Sequence, residues 1–174
     1  PNAAAQPPRT LEDLERRVTL VLLETEGVTN RRQELLKLAA REEVAAVLLR
    51  MLERTRSEPR NDNNSTFNAA MRSKSISALG ELGETRAAPL IQSVLNDRSQ
   101  HGNVRTRAAK ALAQIDVNRH KGDILRVFDE VPANDWLFRL ELAKALVNAK
   151  DRAVIARMEA WTRGEANMKV RRMF

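Results

Sequence analysis

Along the middle of the chain the apolar positions keep a helical period. Met71, Ser75, Ala78, Leu79 and Leu82 fall at i, i+4, i+7, i+8 and i+11, with Ser75 the one polar member. The same spacing returns as Val104, Ala108, Ala111, Leu112 and Ile115, and again as Phe138, Leu142, Ala145, Leu146 and Ala149. Each set is one face of a 3.6-residue period and predicts an amphipathic helix. The small residue in the middle column, Ala78, Ala111 and Ala145, lets a neighbouring helix come close. An arginine follows the first apolar position of each set: Arg72, Arg105 and Arg139, with Arg171 opening another. The spacings are 33, 34 and 32 residues. A repeat of that size is the mark of a helical array whose copies must stack to bury their stripes.

A second helix is predicted in each copy. In the first it runs from Arg86 to about Asn96, capped by Thr85, with Pro89 in its first turn and Leu90, Ile91, Val94 and Leu95 as its stripe. The second copy offers Ile124, Leu125, Phe128 and Val131, the third Val154, Ile155, Met158 and Trp161.

Upstream, Thr10 opens a helix with a capping-box pattern, Leu11, Leu14, Val18, Val21 and Leu22 form its stripe, and Gly27 ends it. Asn30 starts the next helical stretch, in which Leu35, Leu36 and Ala39 face one way and Val44, Val47, Leu48, Met51 and Leu52 follow. No Gly or Pro interrupts 31–55 near Arg41, so one long helix and two shorter ones both fit. The echo of Ala45–Leu49 in Ala87–Ile91 favours a break there. The domain reading is a Pro/Ala-rich disordered lead over 1–9, an N-terminal cap or degenerate repeat over 10–55, a polar loop over 56–66, and repeats over 67–97, 103–131 and 135–163, with a partial one at 167–174. That last segment reads as a piece of a longer array, a stub folded on the last groove, or a contact with another chain. No run of alternating β-branched residues bounded by hairpin turns occurs, so no strand is expected.

Met71-Arg72, Ala78-Leu79-Gly80, Leu82-Gly83, Ala87-Ala88-Pro89-Leu90 and Val94-Leu95-Asn96-Asp97, answered by Val104-Arg105, Ala108, Ala111-Leu112 and Ile115, resemble the HEAT-like repeats of the phycobilisome-lyase type. The resemblance implies an all-α fold, an α-solenoid of stacked antiparallel helix pairs. Such repeats occur in adaptors, scaffolds, assembly factors, chromophore lyases and some DNA-repair glycosylases, so the fold alone does not fix the function. Two departures stand out: the third copy replaces the Gly-rich turn with Val147-Asn148-Ala149-Lys150-Asp151, and the linker from Asp97 to Asn103 is long.

Composition narrows the chemistry. With 43% apolar and 30% charged residues, a core and a highly charged surface are both expected. There is no cysteine, which removes disulfides, cysteine-held metals and thiol nucleophiles. The longest apolar runs, such as Val44–Leu49, fall far short of the roughly 20 residues a membrane helix needs. No signal peptide is visible, and the start at Pro1 without Met reads either as a cut within a longer chain or as the start of a processed one; the compartment is left open, with cytoplasmic favoured over an exported, periplasmic chain. The net charge of +7 is uneven: residues 101–174 hold fifteen Lys and Arg against nine Asp and Glu, while the rest of the chain is near balance.

No catalytic constellation emerges. His101 and His120 both fall in predicted loops, without a second ligand at metal spacing, and read as surface histidines. Gly80-Glu81-Leu82-Gly83 lacks the Gly-Lys-Ser/Thr ending of a phosphate loop. No metal, cofactor or catalytic residue is assigned. The binding candidates are the arginine ladder, Arg72, Arg105, Arg139 and Arg171, with Lys74, Arg107 and Arg172 beside it, and the two tryptophans, Trp136 and Trp161. The ladder fits a basic stripe for phosphates or an acidic partner. The repeat resemblance implies a structural alternative, in which each arginine pairs with the acid or carbonyls of the preceding turn; Asp97, Glu130 and Asp135 are the local acids. The tryptophans read as part-buried anchors or as an interface pair. The functional reading is a non-catalytic adaptor or scaffold for a protein partner, with the second helices lining the concave face. The alternatives are nucleic-acid binding through the basic C-terminal half, and a lyase-type protein handling a bilin.

Overall fold

The computed structural model describes residues 10–24, 28–57, 65–132 and 134–164. The lead over 1–9, most of the polar loop and the partial repeat with Arg171 and Arg172 lie outside the described residues.

Helices α1 (Leu11–Glu24), α2 (Val28–Leu38) and α3 (Arg41–Ser57) form the N-terminal unit. Thr10 accepts a hydrogen bond from the Asp13 N–H at 3.1 Å, the cap the sequence predicts. The stretch 31–55 is two helices: Ala39 and Ala40 separate α2 from α3, and the Glu43 carboxylate accepts from the Ala40 N–H at 3.2 Å. A glutamate reaching back to the residue before its helix makes this break without Gly or Pro. Leu14, Val18, Leu22, Leu35, Val44, Val47, Leu48, Met51 and Leu52 are buried, whereas Leu11 lies half in solvent. Helix α3 continues to Ser57 and the next helix begins at Ser65, so the polar loop is trimmed at both ends. Thr55 is buried in the last turns of α3, its hydroxyl donating to the Met51 and Leu52 carbonyls.

The repeats follow as α4 (Ser65–Leu82), α5 (Ala88–Asn96), α6 (Gly102–Glu130), α7 (Trp136–Leu146) and α8 (Arg152–Gly164). Among the described residues every element is helical. The result is an α-solenoid in which α4 packs between α3 and α6, and α6 packs between α4 and α7. Every position of the three apolar sets is buried except Ile115, which is half-buried. These side chains continue into one core with the second-helix residues Ile91, Val94, Leu95, Ile124, Phe128, Val154 and Met158. Ile155 departs from its predicted stripe and is exposed.

The turns inside the repeats are made in three different ways. In the first copy Gly83 takes φ +64°, a left-handed conformation that ends α4, and a 3-10 turn over Thr85–Ala87 leads into α5. The cap there is Glu84, not the expected Thr85: its carboxylate accepts from the Arg86 N–H at 3.1 Å and from the Arg86 guanidinium at 2.8 Å. In the second copy there is no loop. Asp116 alone leaves helical geometry, with φ −165° and ψ 94°, and its carboxylate caps the second half of α6 through the Arg119 N–H at 3.1 Å. His120 therefore sits on a helix and is buried, where the sequence suggested a loop. In the third copy Lys150 takes the left-handed place, φ 48° and ψ 29°, and Asp151 caps α8.

Candidate binding groove

The ladder arginines share one local role. Arg72, Arg105 and Arg139 each reach from a first helix back to the last turn of the preceding second helix. Arg72 is buried and donates to the Thr55 carbonyl of α3 and to the Gln100 side chain. Arg105 donates to the Leu95 carbonyl of α5 at 2.8 Å, with its guanidinium 5.0 Å from the centre of the Phe138 ring. Burial pushes its pKa down, against the pull of Glu130, Asp97 and Asp135. The Arg139 guanidinium stands 5.3 Å from the centre of the Phe128 ring, in the last turn of α6. The last turn of a helix presents unbonded carbonyls and the negative end of its dipole, so a cation is stabilised there. Trp161 meets the same Phe128 ring edge-on at 5.3 Å, and Trp136 opens α7 half-buried. Arg171 and Arg172 lie outside the described residues.

The companions of the ladder point elsewhere. Lys74 and Arg107 both line an open groove of about 740 Å³ that crosses three successive first helices. Its walls are Ala70, Ser73, Lys74 and Ser77 of α4; Asn103, Thr106, Arg107 and Lys110 of α6; and Leu137, Phe138 and Glu141 of α7, with Arg31, His101 and Asp135 at the margins. Residues at i, i+3, i+4 and i+7 share one helix face, so the α4 and α6 sets are each a single stripe, and Leu137 and Glu141 of α7 are one turn apart. The stripes are also repeat columns. Ala70, Asn103 and Leu137 correspond, as do Lys74, Arg107 and Glu141, at the offsets that relate the arginines. The groove lies on the first helices, whereas the sequence reading had looked to the second helices for the concave face.

Most charges in the groove are engaged. Arg31 and Glu81 form an ion pair at 3.1 Å, both side chains 7% exposed, which ties α2 to α4. Burial raises the Glu81 pKa, against Arg31 and Arg107. Lys74 donates to the Leu22 carbonyl at 2.6 Å. Burial works against the Glu141 carboxylate, but Lys110 and Lys144 outweigh it and its pKa is lowered. Asp135 accepts from the Phe138 N–H at 3.3 Å, and His101 Nδ1 from the Asn103 N–H at 3.3 Å, each capping a helix that starts at the groove. Arg107 is different. It is exposed, and among the described residues it donates no hydrogen bond and makes no ion pair.

Residues 64–130 match the family model for HEAT repeats. This stretch is similar to HEAT repeats. The match covers α4, α5 and α6, and it does not single out the phycobilisome-lyase subtype. No curated protein and no solved structure matches the chain. HEAT repeats commonly serve as protein-interaction scaffolds and are generally non-catalytic. Among the described residues no three His, Asp or Glu side chains gather where they could hold a metal ion, and no helix is long and apolar enough to cross a membrane.

Of the groove residues, Lys74 and Arg107 stand out in the sequence, whereas Asn103, Thr106, Lys110, Ser73, Ser77 and Leu137 do not. The signal was present as polar and small columns repeating beside the apolar ones. It is weak, because a polar column looks the same whether it faces open solvent or the wall of a groove.

Proposed function

We propose that the chain is a protein-interaction module whose working surface is the groove across the first helices of α4, α6 and α7. One observation carries this: corresponding repeat columns from three consecutive HEAT helices meet in a single open depression. A scaffold needs such a continuous surface, and stacked repeats generate it by construction. Arg72 and Arg105 are engaged with helix-end carbonyls, which favours a protein partner over a row of phosphates, since phosphate binding draws on several cations free to displace counterions.

The test is affinity capture from source lysate with and without nuclease, at about 50 and 200 mM salt, a range over which binding through many phosphates collapses. A Ser73→Trp variant fills the groove floor, and an Arg119→Trp variant alters the second-helix side. Protein partners that survive nuclease and salt, are lost with Ser73→Trp and are kept with Arg119→Trp are the expected result. Partners indifferent to Ser73→Trp, or recovered only through nucleic acid, would overturn the reading.

A further inference from the structure

The groove also specifies the chemistry of what fills it. We infer that its occupant is an acidic linear segment of a partner protein, whose carboxylate pairs with Arg107 and whose apolar side chain, about three residues away, rests on Leu137. This rests on the groove being the interaction surface.

The charge argument begins with what is already satisfied. Of the four cations at the groove, Arg31 has Glu81, Lys74 has the Leu22 carbonyl and Lys110 has Glu141. Both groove carboxylates are likewise held, Asp135 by a backbone N–H and Glu141 by two lysines. Among the described residues, what remains for a ligand is the Arg107 guanidinium, with five donors in a planar fork that suits a carboxylate. Around it stand the neutral polar side chains of Asn103 and Thr106, one turn away on the same face of α6. Two helices, α6 and α7, begin at this groove, so the positive ends of their dipoles add to the preference for an anion. A side chain added at Gly102 would meet nothing within 4 Å, so a ligand can come up to the α6 backbone there.

The apolar argument concerns Leu137. It is 55% exposed on the groove wall, beside the ring of Phe138, which is itself buried. In the repeat columns it corresponds to Asn103, one helical turn before the level of Arg107 and one helix across. One turn is about 5.4 Å and neighbouring helix axes lie about 9 Å apart, which puts the two anchors about 11 Å from each other. An extended peptide rises about 3.3 Å per residue, so three residues span that distance. A nucleic acid fits less well: among the described residues a chain of phosphates would meet one unengaged cation and then Asp135 and Glu141.

The probe is a phage-displayed library of random twelve-residue peptides, selected on the full chain and counter-selected on Ser73→Trp. The expected outcome is enrichment of Asp or Glu with an aliphatic residue about three positions away. Selected peptides should bind Arg107→Ala at least tenfold more weakly, keep part of their affinity for Arg107→Lys, and lose affinity for Leu137→Ser. Selection on Arg107→Glu should turn the preference towards Lys and Arg. Thermal melts of Arg107→Lys and Leu137→Ser should overlay that of the parent, since the lysine keeps a cation beside Glu81 and Leu137 is exposed, whereas Arg107→Ala and Arg107→Glu should melt lower but still cooperatively, through the lost attraction to Glu81. Enrichment of neutral or basic peptides, no enrichment at all, or acidic peptides indifferent to Arg107→Ala would overturn the inference. So would an oligonucleotide of equal charge binding more tightly in an Arg107-dependent way. If lysate partners are lost with Ser73→Trp but unaffected by Arg107→Ala, the groove stands and the acidic occupant does not. If Ser73→Trp changes nothing, the interaction surface itself is elsewhere.

Discussion

At the scale of single residues, Lys150 and Gly83 show how one conformational need is met at different expense. Both end a first helix in the left-handed region, but lysine carries a Cβ that crowds its own carbonyl there. Replacing Lys150 with Gly should therefore stabilise the protein by about 1 kcal/mol, read as a rise in the denaturant midpoint with an unchanged slope. A midpoint that falls would show that the lysine side chain contributes more than its strain removes. Lys150 was recognisable in the sequence only as a departure from a Gly-rich turn. A residue that takes a positive φ under protest leaves no mark of its own, whereas Gly83 advertised the turn by lacking a side chain. The caps divide in the same way. Thr10 was readable because threonine is a strong capping residue in a familiar pattern. Glu84 was not, since it prevails over Thr85 only through the additional bonds from the Arg86 guanidinium.

At the scale of elements, the contact between α4 and α6 leaves no room for a side chain at Gly80. A Cβ placed there would lie 2.6 Å from the Ala111 Cα and 2.8 Å from the Ala111 Cβ. Both are atoms that cannot rotate away, so the helices would have to separate. Gly80→Val should destabilise by about 1 to 3 kcal/mol, with a lowered melting temperature by circular dichroism as the readout. The gain in helix propensity, below about 1 kcal/mol, is too small to offset this. Helix positions and their buried faces were legible because a 3.6-residue period is imposed by the core itself. The break at Asp116 was not. Nothing in Ile115-Asp116-Val117 breaks a helix by itself; the interruption comes from packing α6 against α4, α5 and α7 at once, with the aspartate capping the new start. The exposure of Ile155 has a related origin. Helix α8 buries Val154 and Met158 but little else, so its apolar pattern is wider than the surface it packs on.

At the scale of the whole molecule, the N-terminal unit and the repeats are joined by the packing of α3 on α4 and by the Arg31–Glu81 pair. The pair is nearly dry, and burial outweighs attraction for the carboxylate, whose pKa is raised. Arg31→Met alone leaves an unpaired buried carboxylate and should destabilise by about 3 kcal/mol or more, whereas Arg31→Met with Glu81→Leu should recover most of that loss. A double-mutant cycle by chemical denaturation measures both. The sign of the pH dependence follows. The folded state favours protonated Glu81, so the penalty for its charge is complete above its folded pKa and fades as pH falls towards the ordinary glutamate value. Glu84 runs the other way. The hydrogen bonds from Arg86 hold its pKa down, so its contribution is full above the ordinary value and is lost only as pH falls through the lowered one. Compared with Glu81→Gln, the parent protein should thus gain stability on mild acidification. The groove belongs to this scale too, which is why it was the least legible part. It exists only when columns from three copies are brought side by side.

The loopless second copy sets how the array can change. Where most helical pairs are hinged by a connecting segment, the two halves of α6 meet at Asp116 alone, so their mutual angle is written in the torsions of one residue. Lengthening a surface turn can lodge new sequence between Asp97 and His101, outside the helices. At Asp116 a single added residue would rotate the second half of α6 by about 100° and turn Ile124 and Phe128 out of the core. This joint can be substituted but not extended, and the curvature of everything beyond it is inherited from there.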